Sequence, residues 1–137
     1  MDRITPETRS RIMSQIRSGN TAPERSVRRE LHAAGFRFRL HVRDLPGRPD
    51  VVLPKYRTAI MVHGCFWHGH DCPRGRRPTA NAEFWARKIE RNMERDAAAV
   101  AALEASGWTV LTIWTCRLHI GTSDVIERLK ASRAANR

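Results

Sequence analysis

The stretch DVVLPKYRTAIMVHGCFWHGHDC, residues 50–72, contains two apolar segments followed by a dense group of histidines and cysteines. Residues 50–53 and 58–63 are rich in apolar and β-branched side chains, which is typical of buried strands. The segment PKYR between them has the length of a hairpin loop. Asp50 begins one strand and His63 ends the other, so antiparallel pairing predicts that these two residues lie side by side.

Helix and strand patterns extend from this hairpin in both directions. The second helix is expected to open with a capping box formed by Thr21 and Glu24. The expected elements are helices at 5–18 and 21–35, a half-buried strand at 36–42, the hairpin, a helix at 82–106, a buried strand at 108–116 and a helix at 123–133 with Ser123 as its cap. This order predicts a single α/β domain over residues 1–137, with a mixed four-stranded sheet flanked by helices.

The long helix predicted at 82–106 has two distinct faces. Its apolar stripe consists of Trp85, Ile89, Met93, Ala97, Val100 and Leu103. Its basic face consists of Arg87, Arg91 and Arg95, with Lys88 beside them.

The chain is strongly basic, with 25 Lys and Arg against 14 Asp and Glu, a net charge of +11. Because arginine binds phosphate oxygens in pairs and stacks on bases, this balance favours a nucleic-acid partner, although a basic surface kept for solubility is the alternative. No segment reaches the roughly 18 apolar residues of a membrane span, and the N-terminal segment lacks the apolar region of a secretory signal. We therefore expect a cytoplasmic protein without a membrane partner.

The cysteines and one histidine suggest a metal site. Three cysteines, an odd number, argue against a disulfide framework. Cys65, His70, Cys72 and the distant Cys116 would complete a tetrahedral Cys3His set, which suits a closed structural Zn²⁺ site. The alternative is a group of small buried thiols beside a solvated histidine.

A second group of residues suggests phosphodiester hydrolysis. Asp50 is the candidate magnesium ligand, and His63 and His68 could move a proton or order a water near neutral pH. Glu24 is the second candidate carboxylate. Each carboxylate also has a structural alternative, because Glu24 fits the capping box and Asp50 fits a turn.

Two adjacent aromatic residues, Phe66 and Trp67, lie between these histidines and cysteines. On a basic surface they could stack with bases or wedge between them, and Met13 on the first helix could be a second wedge. The alternative for all three residues is ordinary core packing.

Five segments together resemble the very short patch repair, or Vsr-type, DNA mismatch endonucleases. They are TAPER, LPGRPDVV, HGCFWHGHDC, EFWARKIERNMERD and GWTVLTIWTC, in the family's order. The resemblance implies a core like that of the restriction endonucleases. It also implies Mg²⁺-dependent nicking of one strand 5′ to the thymine of a T:G mismatch. Such mismatches arise when 5-methylcytosine deaminates, and the nick initiates very short patch repair.

The resemblance also implies roles for the residues of the expected active site. Asp50 and the backbone carbonyl of Val62 would bind magnesium, of which two ions are expected. Glu24 and His63 would hold metal-bound waters, and His68 would act as general base or phosphate partner. The family often has threonine where this chain has Val62, and the Asp/Glu-x-Lys half of the restriction-type motif is absent.

Further roles follow from the same resemblance. One structural zinc would be held by Cys65, His70, Cys72 and Cys116. The residues expected to contact DNA are the wedge residues Met13, Phe66 and Trp67, the groove residues Lys88 and Asn92, the basic-face residues Arg87 and Arg91, and the arm at 1–20. The expected partner is double-stranded DNA with a T:G mismatch.

We expect a monomer that acts at the nucleoid, with other repair proteins following it. Two other functions remain open at this stage: a zinc-containing DNA-binding module without catalysis, and a restriction-type nuclease without mismatch selectivity.

Overall fold

The computed structural model describes residues 21–135, which form a sheet of four strands with helices packed on both of its faces. The helices and strands are α1 (Ala22–Ala33), β1 (Arg39–Leu40), β2 (Val51–Leu53), β3 (Thr58–His63), α2 (Ala82–Ala105), β4 (Thr109–Trp114) and α3 (Leu118–Ala135). Short 3-10 turns lie at Pro54–Tyr56, Pro73–Gly75 and Thr115–Arg117. The helix predicted at 5–18, with Met13, lies outside the described residues.

The strands are arranged in the order β1-β2-β3-β4. β1 and β2 are antiparallel, as are β2 and β3, with Val51 opposite Ile60 in the second pair. β4 runs parallel to β3, with Thr58 opposite Thr109, and α2 is the connection between these two strands. The predicted mixed four-stranded α/β sheet is therefore confirmed.

The alternation of side chains along β3 divides the interior in two. Ile60 and Val62 face α1 and α3, where they join a core of ten buried residues. Ala59 and Met61 face the opposite side and pack against Leu103 of α2. His63 continues this second series, so the strand that builds the core also directs an imidazole toward α2.

α1 begins and ends where the sequence predicts. The hydroxyl oxygen of Thr21 accepts a hydrogen bond from the backbone N–H of Glu24 at 3.4 Å. The helix ends at Ala33, and Gly35 follows with a positive φ of 87°. Because left-handed backbone favours glycine, Gly35 lets the chain turn sharply toward the sheet.

Two of the predicted strands are corrected by the structure. The strand expected over residues 36–42 is reduced to Arg39 and Leu40, and both of these residues are exposed at the edge of the sheet. The strand expected to be buried over 108–116 spans Thr109–Trp114, and Ile113 is its only buried residue. Because β4 is the other edge strand, its apolar residues are only partly covered.

The final helix also differs from the prediction. α3 starts at Leu118 rather than at Ser123, so Ser123 lies inside the helix and does not cap it. The Thr122 hydroxyl donates to the backbone carbonyl of Leu118 at 2.6 Å. Gly121 lets this first turn approach β4, because a Cβ there would lie 3.2 Å from a methyl group of Ile113.

The face of α2 that packs on the sheet agrees with the predicted stripe at Ile89 and Leu103 but differs from it between them. Met93 is 41% exposed, and Ala97 is also exposed. The inward positions are held by Ile89, Ala99 and Leu103, which are buried. The partly buried Asn92 and Asp96 lie between them at helical spacing, so two polar residues occupy the inward face where an apolar stripe was expected.

No helix within residues 21–135 has both the length and the apolar character needed to cross a membrane.

Candidate active site and metal centres

A cavity of about 690 Å³ opens at the end of β3, between the sheet and α2. Every residue predicted from the sequence to be catalytic contributes to its lining. The titratable lining residues are Glu24, His41, Arg43, Arg48, Asp50, His63, His68, Arg95 and Asp96. The structure therefore brings the predicted carboxylates and imidazoles to one place.

Asp50 is fixed by the backbone of the neighbouring strand. Its carboxylate oxygen accepts a hydrogen bond from the Val62 N–H at 2.7 Å. Because Asp50 directly precedes Val51, the alternation of β2 directs its side chain away from the core face that buries Val51. The carboxylate therefore lies at the end of β3, beside Val62, whose backbone carbonyl is expected from the family resemblance to bind the metal.

Glu24 has a role beyond the helix cap. The backbone N–H of Glu24 donates to the Thr21 hydroxyl. The Glu24 side chain makes a separate contact, because its carboxylate oxygen lies 3.3 Å from Nε2 of His41. Glu24 is only 6% exposed. One ligand atom from each of Glu24, His41 and Asp50 lies within 4.8 Å of the other two.

Burial disfavours the ionised form of both carboxyl groups. Burial raises the pKa of Asp50 above its usual value, although the hydrogen bond from Val62 opposes this shift. Burial and then the charge of Asp50 raise the pKa of Glu24. A divalent cation between them would offset both effects, because an opposite charge favours the ionised carboxylates. The donor set of Glu24, His41 and Asp50 therefore fits a divalent cation.

His63 and His68 form a stacked pair at the same cavity. Their ring centroids are 3.8 Å apart and the rings are nearly parallel, at 2°. Nδ1 of His68 lies 2.6 Å from a carboxylate oxygen of Asp96 on α2. Burial, and then the charge of His68, lowers the pKa of His63 to about 4. His63 is therefore neutral near pH 7, and Asp96 fixes the orientation of His68.

A second cluster forms on the loop after β3. Cys65, His70, Cys72 and Cys116 each place one ligand atom within 4.8 Å of the others. Nδ1 of His70 is 3.5 Å from the sulfur of Cys116. Three thiols and one imidazole are the donors that a tetrahedral metal site uses, so this Cys3His cluster can hold a metal ion.

Backbone contacts hold this Cys3His loop in shape. The N–H of His70 donates to the carbonyl of Cys65 at 2.9 Å, and the His70 ring stacks on Trp114 with centroids 4.1 Å apart. A Cβ at Gly75 would overlap the carbonyl oxygen of His70, so a side chain at that position would displace the loop.

The thiol of Cys65 is prepared for metal binding by its surroundings. Desolvation raises the pKa of the Cys65 thiol, but hydrogen bonds with Thr115 and with Cys116 bring it down to about 6. Cys65 is thus ready to bind a cation as thiolate.

The predicted wedge residues belong to an aromatic cluster that we define as Phe66, Trp67, Phe84 and Trp85. The rings of Phe66 and Trp67 pack edge to face, with centroids 5.1 Å apart. Trp85 contacts both rings, at 5.3 Å and 6.0 Å. Phe84 extends the cluster and is 54% exposed. The loop after β3 and the first turn of α2 therefore present one aromatic surface beside the cavity.

Comparison with known proteins identifies the family. Residues 1–74 match the family model described as DNA mismatch endonuclease Vsr. The chain is 52% identical over 117 residues to the type II nicking enzyme V.XorIIP of Xanthomonas oryzae pv. oryzae, covering 85% of this chain and 86% of that protein. It is 43% identical over 112 residues to the DNA mismatch endonuclease Vsr of Escherichia coli K12, and the match covers 82% of this chain and 72% of that protein. This chain belongs to the Vsr family of DNA mismatch endonucleases. As a Vsr-family protein, it is a DNA endonuclease.

Two residues of the Vsr-family cavity were not found from the sequence. Asp96 falls at the inward spacing of α2, seven residues from both Ile89 and Leu103, and that spacing was the one available signal. His41 is the second-to-last residue of the segment predicted as a strand and has a positive φ of 48°, which is uncommon for a residue other than glycine. Neither side chain could be assigned before the packing of distant segments was known.

The residues within 21–135 that are predicted to contact DNA lie on and around α2 of this Vsr-family chain, and Met13 and the arm at 1–20 lie outside the described residues. The Asn92 side-chain amide donates to the carbonyl of Trp67 at 2.9 Å, and the Lys88 ammonium lies 6.0 Å from the centroid of the Trp67 ring. Arg87 and Arg91 are exposed on the same helix. The structure thus joins the basic face of α2 to the aromatic cluster.

Proposed function

We propose that this Vsr-family protein is a Mg²⁺-dependent endonuclease that nicks duplex DNA on the 5′ side of the thymine in a T:G mismatch. Mismatches of this kind come from deaminated 5-methylcytosine, and the nick would initiate very short patch repair. The observation that carries this proposal is the shared cavity, because Glu24, Asp50, His63 and His68 all line it beside the aromatic cluster.

The metal-binding roles are those that the family resemblance implies, and the donors in the cavity support them. The Asp50 carboxylate and the Val62 backbone carbonyl would hold magnesium, while Glu24 and His63 would hold its hydrating waters. Oxygen donors and retained water are what Mg²⁺ prefers, and we expect two ions during the reaction. When bound, the cation supplies Lewis acidity to the scissile phosphate.

His68 would accept the proton of the attacking water. Its Nδ1 is 2.6 Å from Asp96, so an N–H at that position is held by the carboxylate and Nε2 is left as the proton acceptor. The neutral, stacked His63 keeps the ring of His68 in one plane. Asp96 would therefore act as a positioning residue, because it orients the base without contacting the DNA.

The Cys3His cluster would hold one structural zinc. Three thiolates and an imidazole match the composition of closed zinc sites. The bound zinc would fix the loop that carries Phe66 and Trp67 and join it to Cys116 at the end of β4. The loop would then present its aromatic side chains in one arrangement.

Mismatch recognition would use the aromatic cluster and the basic face together. Phe66 and Trp67, with Met13, would wedge into the stack beside the mismatch. A T:G wobble stacks and pairs less well than a Watson–Crick pair, and unstacking an intact step costs a few kcal/mol, so the wedge favours the mismatch.

Contacts from α2 would complete recognition. Lys88 and Asn92 would read the mismatched pair, and Arg87 and Arg91 would contact phosphates to set the register. Asn92 is bonded to the carbonyl of Trp67, so the reading residue and the wedge would move as a unit.

In this proposal the chain acts as a monomer built as one endonuclease domain over residues 1–137, with a restriction-endonuclease-like core. Residues 1–20 would contact the DNA as an arm or helix. The protein would act on DNA at the nucleoid, and other repair proteins would follow the nick.

The test is a nicking assay with purified protein and Mg²⁺ on duplexes that differ only in one pair, T:G or C:G. A single nick in the thymine strand of the T:G duplex is expected, with the C:G duplex left intact. Binding without nicking would indicate a zinc-containing DNA-binding module instead. Equal cutting of both duplexes would indicate a restriction-type nuclease without mismatch selectivity.

A further inference from the structure

His41 lies in the catalytic cavity but has no role in the proposed chemistry so far. Its Nε2 is 3.3 Å from Glu24, and its ligand atom lies within 4.8 Å of those of both Glu24 and Asp50. The imidazole lines the same cavity as His63 and His68. Of the three groups of potential ligands found within residues 21–135, this one contains both carboxylates of the site.

The spacing of these three donors suits a single cation. Around an octahedral ion with ligands at about 2.1 Å, adjacent donors lie about 3 Å apart and opposite donors about 4.2 Å apart. The separations between Glu24, His41 and Asp50 stay within 4.8 Å, so small side-chain rotations would bring His41 and Asp50 into one coordination shell, with Glu24 close enough to hold a water of that shell. His41 follows β1 directly and is partly exposed, so its ring is free to make such a rotation.

We propose that Nε2 of His41 is a direct ligand of the catalytic cation held at Asp50, and that it shifts the preference of the site toward Mn²⁺ over Mg²⁺. This inference rests on the proposed function, because it concerns the same cation site. Mg²⁺ favours oxygen ligands and water, whereas Mn²⁺, a first-row transition metal that also binds carboxylates and water, accepts an imidazole nitrogen more readily than Mg²⁺ does. Replacing one oxygen ligand by a nitrogen therefore favours manganese.

The competing explanation is that His41 only holds the Glu24 carboxylate through a hydrogen bond. In that case the ring would contact Glu24 and never the metal. Activity cannot separate these two roles, because both would lower nicking when His41 is lost. The spectrum of a bound Mn²⁺ ion separates them, because a directly bonded imidazole nitrogen couples to the electron spin of manganese.

The experiment measures Mn²⁺ binding by electron paramagnetic resonance and nitrogen coupling by electron spin-echo modulation. The protein is first given one equivalent of Zn²⁺ so that the Cys3His cluster is filled. The samples are the wild type, His41→Gln and the control His119→Gln. His119 is an exposed histidine on α3 paired with Glu30, outside the cavity.

We expect a ¹⁴N coupling in the wild type and in His119→Gln, and its loss in His41→Gln. The Mn²⁺ affinity of His41→Gln should fall about tenfold or more, with a smaller change for Mg²⁺ measured by competition. An unchanged ¹⁴N signal in His41→Gln would overturn the inference, since the nitrogen would then come from another residue. A ratio of Mn²⁺ affinity to Mg²⁺ affinity that is the same in His41→Gln and in the wild type would also overturn it.

Two further samples make every outcome informative. His41→Asn serves as the second variant if His41→Gln does not fold, as judged by circular dichroism. Asp50→Asn should bind neither ion in the cavity. If the wild type nicks with Mg²⁺ while His41→Gln keeps the ¹⁴N coupling of bound Mn²⁺, only the role of His41 is wrong. If the wild type neither binds Mn²⁺ nor nicks with Mg²⁺, the proposed function itself is wrong.

Discussion

The two clusters of ligand side chains beside β3 differ in composition and in the way that the chain assembles them. The Cys3His cluster takes three of its four members from residues 65–72 and the fourth, Cys116, from the end of β4. The cavity cluster takes its members from α1, from the segments before β2 and after β1, from the end of β3 and from α2.

The difference shows how one small chain can separate stability from catalysis. The sulfur and nitrogen donors of the Cys3His cluster suit a closed site, in which a tightly held metal stabilises an irregular loop. The cavity cluster offers oxygen and imidazole donors beside a volume of about 690 Å³, which leaves room for an exchangeable cation, water and a phosphate. The following predictions test this division of roles.

The largest effect is expected from Asp50→Asn. The change should lower nicking by roughly 10³-fold or more, because the metal contribution is worth several kcal/mol and 1.36 kcal/mol corresponds to a factor of ten. DNA affinity, measured by gel shift without metal, should stay close to that of the wild type. Asp44→Asn, on an exposed residue of the preceding loop, is the matched control. A parallel loss of binding would contradict a metal-holding role for Asp50.

Cys116→Ser should act on stability and zinc content rather than on the catalytic cavity. Because metal binding contributes to folding, removing one ligand should lower the free energy of unfolding by a few kcal/mol, and bound zinc should fall well below one per chain. Elemental analysis and thermal unfolding measure the two effects. When both proteins are stripped of zinc by unfolding in excess chelator and are then refolded, the difference in Tm from the wild type should disappear. A variant that retains a full zinc equivalent would show that Cys116 is not a ligand.

Asp96→Asn should have a smaller effect on catalysis than Asp50→Asn. Without the carboxylate that orients Nδ1 of His68, nicking should fall by roughly 10²-fold, which is the lower range for the loss of general-base catalysis. The loss should appear in the single-turnover rate and not in DNA affinity. Glu94→Gln, on an exposed residue of the same helix, is the control. A change confined to DNA affinity would exclude a positioning role.

The smallest effect concerns the pH dependence of stability. The pKa of His63 is lowered to about 4 in the folded protein from the usual 6.5. Between these values the unfolded chain binds a proton that the folded protein does not, so His63 makes the protein less stable as the pH falls from about 6.5 toward 4. By pH 5 this linkage amounts to about 2 kcal/mol.

The measurement compares the Tm of the wild type with that of His63→Gln from pH 7.5 to pH 5. The wild type should lose several degrees more than the variant. The comparison between the two proteins cancels most of the opposite contributions of Glu24 and Asp50, whose pKa values are raised. Parallel Tm curves would mean that His63 is not buried as a neutral imidazole.

The contrast between a cluster drawn mostly from one short segment and a cluster drawn from distant segments explains how far the sequence could predict the structure. β3 was predicted with its observed bounds, because five consecutive apolar or β-branched residues before His63 leave few alternatives to a buried strand. The Cys3His cluster was predicted because three of its members are close in sequence and cysteines are few in this chain. Local composition was therefore enough for both features.

The length of β1 and the positions of Asp96 and His41 depended instead on tertiary packing. Arg39 and Leu40 form a strand of two residues because that edge has little core to cover, which an alternating sequence does not reveal. Asp96 and His41 reach the cavity only because α2 and the end of β1 converge on β2 and β3. Their residue types are common on surfaces, so the sequence pattern gave no reason to single them out.

The most direct test of the central claim is to separate the two metals in one protein. The protein is dialysed against a chelator and then analysed for zinc and for nicking of the T:G duplex. We predict that one zinc remains per chain, that nicking is absent, and that Mg²⁺ alone restores it. Nicking by the chelated protein without added metal, or restoration by Zn²⁺ and not by Mg²⁺, would contradict the account.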